Sequence, residues 1–257
     1  MNFDEAEILG WVKSFIWPLM RIGALFVALP VFSIRAVPAW IRLILSVAIT
    51  FVIMPLLPPL PAVAMFSYDG GIVVIQQLMI GLLSGFIMQL VFATIVFAGQ
   101  GIAYGMGLGF ASMIDPQSGQ QVPVVAQLYV ITGTLIFLAL DGHLLLINML
   151  LDSFTSLPIG MSGVEKTDIW TIIAWSSRLF AGGLLLAMPV IISLLLVNIS
   201  FGVATRAAPQ LNIFSVGFPV TLMLGILLIW LTLPDVLDQF GGILTDAYDV
   251  IGQLLRL

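Results

Sequence analysis

Few residues in this chain could do chemistry, and each implies a different reaction. His143 is the single histidine, set in the triplet DGH at Asp141 to His143. A zinc site takes about four ligands. With no cysteine in the chain, the remaining ligands would have to be carboxylates, so no metal is expected. His143 reads as a polar residue at a helix break, satisfied by a neighbouring carbonyl, ahead of a proton-handling role. The segment GMSG at Gly160 to Gly163 matches the G-x-S-G of intramembrane serine proteases. A serine nucleophile needs its base within hydrogen-bond reach and a dry pocket, whereas Ser162 stands in a polar loop beside Pro158, Glu165 and Lys166. Aspartyl proteolysis in a bilayer needs two facing carboxylates, one kept protonated by the other. Asp69 and Asp115 both fall at turns outside any G-x-G-D sequence and read as solvated loop ends. The glycines Gly99, Gly101, Gly105, Gly107 and Gly109 lack the preceding strand of a dinucleotide site and the Gly-Lys-Ser/Thr ending of a phosphate loop. No catalytic constellation survives, no cofactor is implied, and the chain is expected not to be an enzyme.

The elements that would carry these residues are set by composition. Of 257 residues, 61% are hydrophobic and 8% charged, and the mean hydropathy is +1.19. Soluble domains run nearer 45–50% apolar and about 25% charged. No charged residue occurs between Asp69 and Asp115, and similar runs occupy Pro116 to Leu140, Leu179 to Thr205 and Ala207 to Pro234. One crossing needs about 20 residues. Unbroken runs such as GLLLAMPVIISLLLV lack the alternation of a β-barrel strand, so an all-α membrane protein is expected. The net charge of −5 is dispersed, without a block of either sign, which gives no footprint for nucleic acid. The acidic start, MNFDEAEILGW, lacks the basic segment of a signal peptide, so the first helix is expected to be retained.

The first helix is expected from about Ala6 to Leu29, with Pro18 as a possible kink and with Lys13 and Arg21 needing an interface or a partner. A second ends near Met54, before the prolines of PLLPPLP, and SYDGG reads as a turn. The third carries Gln76, Gln77 and Gln89, which suggests that part of it faces protein or water. Pro123 suits the start of the next helix, which DGH interrupts. Thr167 or Asp168 could cap the following one, and RAAPQLN breaks it. A last apolar helix reaches Leu233. From Asp235 the tail places Val236, Leu237, Phe240, Leu244, Ile251 and Leu255 at helical spacing against Asp238, Asp246 and Asp249, as an amphipathic helix with a surface or partner-facing role. Arg35, Arg42 and Arg206 in short breaks would be cytoplasmic and Asp69 and the acidic tail outside, and parity between these points requires about six crossings. With no repeat and no linker, one compact membrane domain is the simplest description.

The segment that fits least is GMGLGFASMIDPQSGQQ, Gly105 to Gln121. Its glycines permit left-handed backbone, and Pro116, Ser118 and Gly119 prevent a simple helical continuation. Non-helical backbone at membrane depth is tolerated only against protein or an aqueous cavity. One reading is a re-entrant or pore-lining loop in which Met106, Phe110, Met113 and Ile114 form an apolar constriction. The other is an ordinary solvent loop, which explains DPQSGQQ but not the apolar residues before it. Both stand open on these grounds.

This stretch, LALDGHLLLINMLLDSFTSLPIG, and above all NISFGVATRAAPQLNIFSVGFPVTLMLGI together resemble the FliR family of flagellar biosynthetic proteins of bacterial type III export, over nearly the whole chain. Injectisome counterparts share the plan; RAAPQLNIFSVGFP favours the flagellar branch. The resemblance implies a non-enzymatic export-gate subunit, assembled in one copy with several FliP and FliQ subunits into a helical pore that passes unfolded flagellar proteins across the bacterial inner membrane. It implies a FliP-like part over about 1–165 and a FliQ-like helical hairpin with an amphipathic tail over about 166–257. It puts a plug at 105–121, with Gly105, Met106, Gly107, Gly109, Phe110, Met113 and Ile114 in the seal and Asp115, Pro116 and Gly119 returning the chain to the wall. Gln76, Gln77 and Gln89 are expected to hydrogen-bond to neighbouring subunits, and Arg206, Pro209 and Gln210 to shape a junction between hairpin halves. In the assembled family the helices are displaced toward the periplasm, so the expected crossings need not all be lipid spans. A small-solute transporter or channel is the alternative, since it too would explain broken helices and buried amides.

Overall fold

The computed structural model describes residues 5–33, 37–109, 123–207 and 216–257. Their regular structure is helical throughout, with no strand among the described residues: α1 Glu5–Ala28, α2 Pro30–Ser33, α3 Ala39–Ile53 followed by a 3₁₀ turn Met54–Leu56, α4 Tyr68–Gly105, α5 Val124–Ala139, α6 Gly142–Ser156, α7 Lys166–Ala207 and α8 Phe218–Leu255. The all-α membrane class is therefore as expected. By length and composition α1, α3, α4, α7 and α8 could each cross a bilayer, with α5 and α6 together making up to six.

The helices build two compact units. The first comprises Met1–Leu90, Leu140–Ser176 and Thr245–Leu257, the second Val91–Ala139 and Ser177–Leu244. In the first, Trp17, Ile22, Leu25 and Phe26 of α1 bury against Val73 of α4 and Leu150 and Phe154 of α6, with Ile53 and Ile159 closing the cluster. Lipid tails are as apolar as these side chains, so close packing holds such helices together more than transfer from water does. The segment GLLSG, Gly81 to Gly85, lets α4 meet α1 backbone to backbone: a Cβ on Gly81 would overlap the Arg21 carbonyl, and one on Gly85 the Ala28 Cβ. In the second unit Phe92 meets Phe137 and Phe240 edge to face, each with centroids 5.8 Å apart, the arrangement that aromatic quadrupoles favour.

Local chemistry moves several expected boundaries. SYDGG is the start of α4. Ser67 caps it, its Oγ accepting the Gly70 N–H at 3.1 Å, as an N-cap serine does for the third residue of a helix. Glycine is required at 70 because a Cβ there would overlap the Met65 carbonyl. The cap of α7 is Glu165, whose carbonyl accepts from Asp168 and Ile169, while Asp168 Oδ2 accepts the Glu165 N–H at 2.9 Å. Asp168 thus closes the box from inside the helix, and Thr167 is not the cap. Between α5 and α6, Asp141 takes φ 53 and its carbonyl accepts the N–H groups of Leu144 and Leu145, which is the physical content of the DGH break. The last apolar helix and the amphipathic tail are one continuous helix through Pro234. Val236, Phe240, Leu244, Ile251 and Leu255 are buried in the chain's own core, so the apolar face of the tail packs inward.

Candidate functional site

The described part of the glycine-rich segment begins where α4 stops. The Leu108 N–H donates to Ala103 O and the Gly107 N–H to Tyr104 O, both at 3.0 Å. This nested pair is a Schellman cap, and it requires left-handed backbone at Gly107, which has φ +82. Only glycine adopts that conformation without steric cost. The turn then packs apolar on apolar. Met106 is 1% exposed and lies against α8, where a Cβ on Gly225 would come within 2.5 Å of its Cγ. Gly105 faces Leu194 of α7, and Gly107 faces the Phe218 ring at the start of α8. Beside the turn is a cavity of about 450 Å³ whose lining includes Met106, Leu108, Val124, Ile226 and Trp230. Leu108 and Val124 lie on either side of 109–123 in the chain, so both flanks of the segment open on this one apolar space. Met106, expected in the seal, is packed within this chain against Gly225 of α8. Gly109 ends the described stretch; Phe110, Met113, Ile114, Asp115, Pro116 and Gly119 lie outside the described residues.

The three amides bond within the chain, although neighbouring subunits were the expected partners. Gln76 Oε1 accepts the Val164 N–H at 2.9 Å, and Gln89 Nε2 donates to the Ala28 carbonyl at 2.7 Å. Gln77 is fully buried and its Oε1 accepts from Arg21 Nε at 2.8 Å.

Arg21 itself is the residue that sequence reasoning placed but did not explain. Its guanidinium is fully buried. Besides Gln77 it donates to Ser153 O and Ser153 Oγ at 3.0 and 2.9 Å and to Leu157 O at 2.9 Å, and it stacks over the Phe154 ring at 4.3 Å. The two carbonyls belong to the last turn of α6 and its C-cap, where unpaired acceptors and the negative end of the helix dipole collect. A cation in an apolar helix is thus satisfied by a helix end and a ring face. Lys13 likewise finds a partner, the Val63 carbonyl at 2.7 Å. The readable signals were a cation deep in an apolar helix and the small-x-x-x-small spacing of GLLSG beside Gln77.

Other expected site residues stand apart. Arg206 is exposed in the last turn of α7, where a cation complements the helix dipole, and Pro209 and Gln210 lie outside the described residues. His143 is in the first turn of α6, and Ser162 is exposed in the loop before α7. No group of residues that could hold a metal occurs among the described residues.

The family described as bacterial export proteins, family 1, matches residues 12–247. The flagellar biosynthetic protein FliR of Pectobacterium carotovorum subsp. carotovorum is 39% identical over 99% of this chain and 97% of its own length. FliR of Escherichia coli K12 is 37% identical over the same shares, and FliR of Bacillus subtilis strain 168 is 25% identical over 98% of both chains. Long apolar helices, a glycine-capped apolar turn and a match of this extent agree, and the chain belongs to bacterial export proteins family 1 as a FliR-type membrane component of flagellar protein export.

Proposed function

We propose that this chain is a non-enzymatic subunit of the flagellar export gate, a single copy assembled with FliP and FliQ homologues in the bacterial inner membrane at the flagellar basal body. Residues 105–121 act as a plug in the pore for unfolded flagellar proteins. The observation that carries this reading is the Schellman cap at Gly107: it stops a long apolar helix ahead of 109–123, a run with a single charged residue, Asp115, both flanks of which line one apolar cavity. Met106, buried against Gly225, anchors the base of the plug, and the seal falls to Phe110, Met113 and Ile114. An apolar constriction holds ions back by excluding water and yields to a passing chain. Unbranched methionine repacks around varied shapes. The FliP-like part is 1–165 and the FliQ-like hairpin 166–257, with Arg206, Pro209 and Gln210 at its turn and the helices displaced toward the periplasm. Energy comes from elsewhere, since the sequence has no nucleotide site.

The test is deletion of Gly107 to Ser112 in the assembled complex, reconstituted in a planar bilayer. Higher ionic conductance with preserved assembly is expected, and unchanged conductance removes the segment from the seal. Native mass after co-purification separates the gate from a small-solute transporter. A stable monomer with substrate-specific flux overturns the gate.

A further inference from the structure

Arg42 lacks the partners that Arg21 has. It lies in the first turn of α3, half-buried, and its Nε is out of contact with water with no hydrogen-bond partner among the described residues. Its helix gives no relief. The N-cap residue Pro38 makes no side-chain capping bond, and the first turn carries no acidic residue, so the Arg42 charge adds to the positive end of the helix dipole. A buried guanidinium N–H left without an acceptor is costly.

What surrounds Arg42 is an open groove of about 830 Å³ in the first unit, formed by α1, α3 and α4. Met20, Val27, Leu43, Leu78 and Leu82 line it, and among the described residues Arg42 is its sole ionisable lining residue. The hydroxyl in the lining, Ser46 Oγ, donates to the Arg42 carbonyl at 2.7 Å and makes no bond to Arg42 Nε. Trp40, two residues before Arg42, is 61% exposed. An exposed indole at the start of an apolar helix marks the headgroup level of a bilayer.

The geometry points to a binding site for one anionic phospholipid, its phosphate on the Arg42 guanidinium and an acyl chain in the groove. An apolar partner helix would fill the groove and leave the guanidinium unpaired. Soluble phosphate would pair with Arg42 and make no use of the groove. An acidic lipid does both, and basic pockets between membrane helices are suited to acidic headgroups. A zwitterionic lipid fits less well, because its own ammonium competes for the phosphate and repels Arg42.

The full chain, purified in its membrane assembly and stripped of lipid with detergent, is titrated with phosphatidylglycerol or phosphatidylcholine vesicles. Retained lipid is counted by native mass. The wild type is expected to retain phosphatidylglycerol about tenfold better, the scale of one charge-assisted hydrogen bond. Arg42→Gln abolishes that preference and Arg42→Lys restores part of it. Gly23→Leu tests the groove separately with Arg42 intact. Gly23 lines the groove with space for a side chain, the nearest atom to a Cβ there being Ser46 Oγ at 4.0 Å. This variant is expected to lower retention of both lipids. The proposal is overturned if Arg42→Gln keeps the preference, if Gly23→Leu retains lipid as the wild type does, if glycerol phosphate displaces bound phosphatidylglycerol, or if a photocrosslinker at position 42 captures a protein subunit in place of lipid.

Discussion

The buried guanidinium of Arg21 and the glycine turn after α4 solve opposite problems. Around Arg21 every donor bond is to a defined acceptor, and the cation is held by Gln77, two α6 backbone carbonyls and a serine hydroxyl. Around Met106 and Gly107 the contacts are apolar and depend on the absence of side chains at Gly105, Gly107 and Gly225. Hydrogen bonds in a low-dielectric interior are directional and expensive to leave unmade. Thioether and methyl contacts can slide and repack at little cost. The first region is built to stay, and the second is built from interactions that survive rearrangement, which suits the seal proposed for the segment that follows it.

Mutation can break that contrast. The largest effect is expected for Arg21→Ala, about 3–5 kcal/mol, because buried acceptors left without a donor cost about 1–3 kcal/mol each. Poor accumulation and a low melting temperature in detergent would show it, and a wild-type melt would mean that the acceptors find other donors. Arg21→Lys should fall between, since an ammonium cannot reproduce the planar fork or the stacking on Phe154. Next comes Gly225→Ala, expected to cost about 1–3 kcal/mol by overpacking against Met106. Adding Met106→Ala should relieve the clash, giving a non-additive double-mutant cycle in denaturant unfolding. An additive cycle would mean that the two positions do not touch in the membrane.

Gly107→Ala should cost about 1–2 kcal/mol, mainly through left-handed backbone and partly through a Cβ contact with the Phe218 ring at 3.2 Å, with Gly107→Asn milder in backbone. Equal melting temperatures for the alanine and asparagine variants would contradict a backbone origin. The smallest effect belongs to Arg256. It pairs with Asp168 at 3.0 Å, but its side chain is 40% exposed, and ion pairs of this kind contribute about 0.2–1 kcal/mol. Arg256 also sits at φ 60, with Leu257 N–H bonded to Gly252 O and Arg256 N–H to Gln253 O, a second Schellman cap without its glycine. Arg256→Gly should therefore leave stability within about 1 kcal/mol of wild type, the backbone gain offsetting the lost pair. A larger loss would make that pair a structural latch.

Much of the fold was readable because apolar run length and helix-breaking residues act locally. PLLPPLP, DGH and Pro123 marked real boundaries, and the spacing of Val236, Phe240, Leu244, Ile251 and Leu255 marked one apolar helix face, although that face was expected to meet a surface or a partner and packs within the chain. Boundaries went astray where the deciding atom came from elsewhere in the chain or from a cap. Gly70 looked like a turn residue, yet it is the glycine that the carbonyls of residues 64 and 65 require. Pro234 looked like an end, yet α8 continues through it, as membrane helices tolerate.

By itself the sequence determined the all-α membrane class, the order of apolar helices and breaks, and the position of the glycine-rich segment among them, because each depends on residues within a few positions of one another. Only the tertiary structure decided the partners. Arg21 meets the end of a helix more than a hundred residues away, Gln77 bonds to it inside the chain, Met106 packs against Gly225, and Arg42 Nε has no partner among the described residues. A buried polar group takes whichever acceptor the fold brings to it. That acceptor is most often a backbone carbonyl, which every residue type carries and no sequence pattern marks.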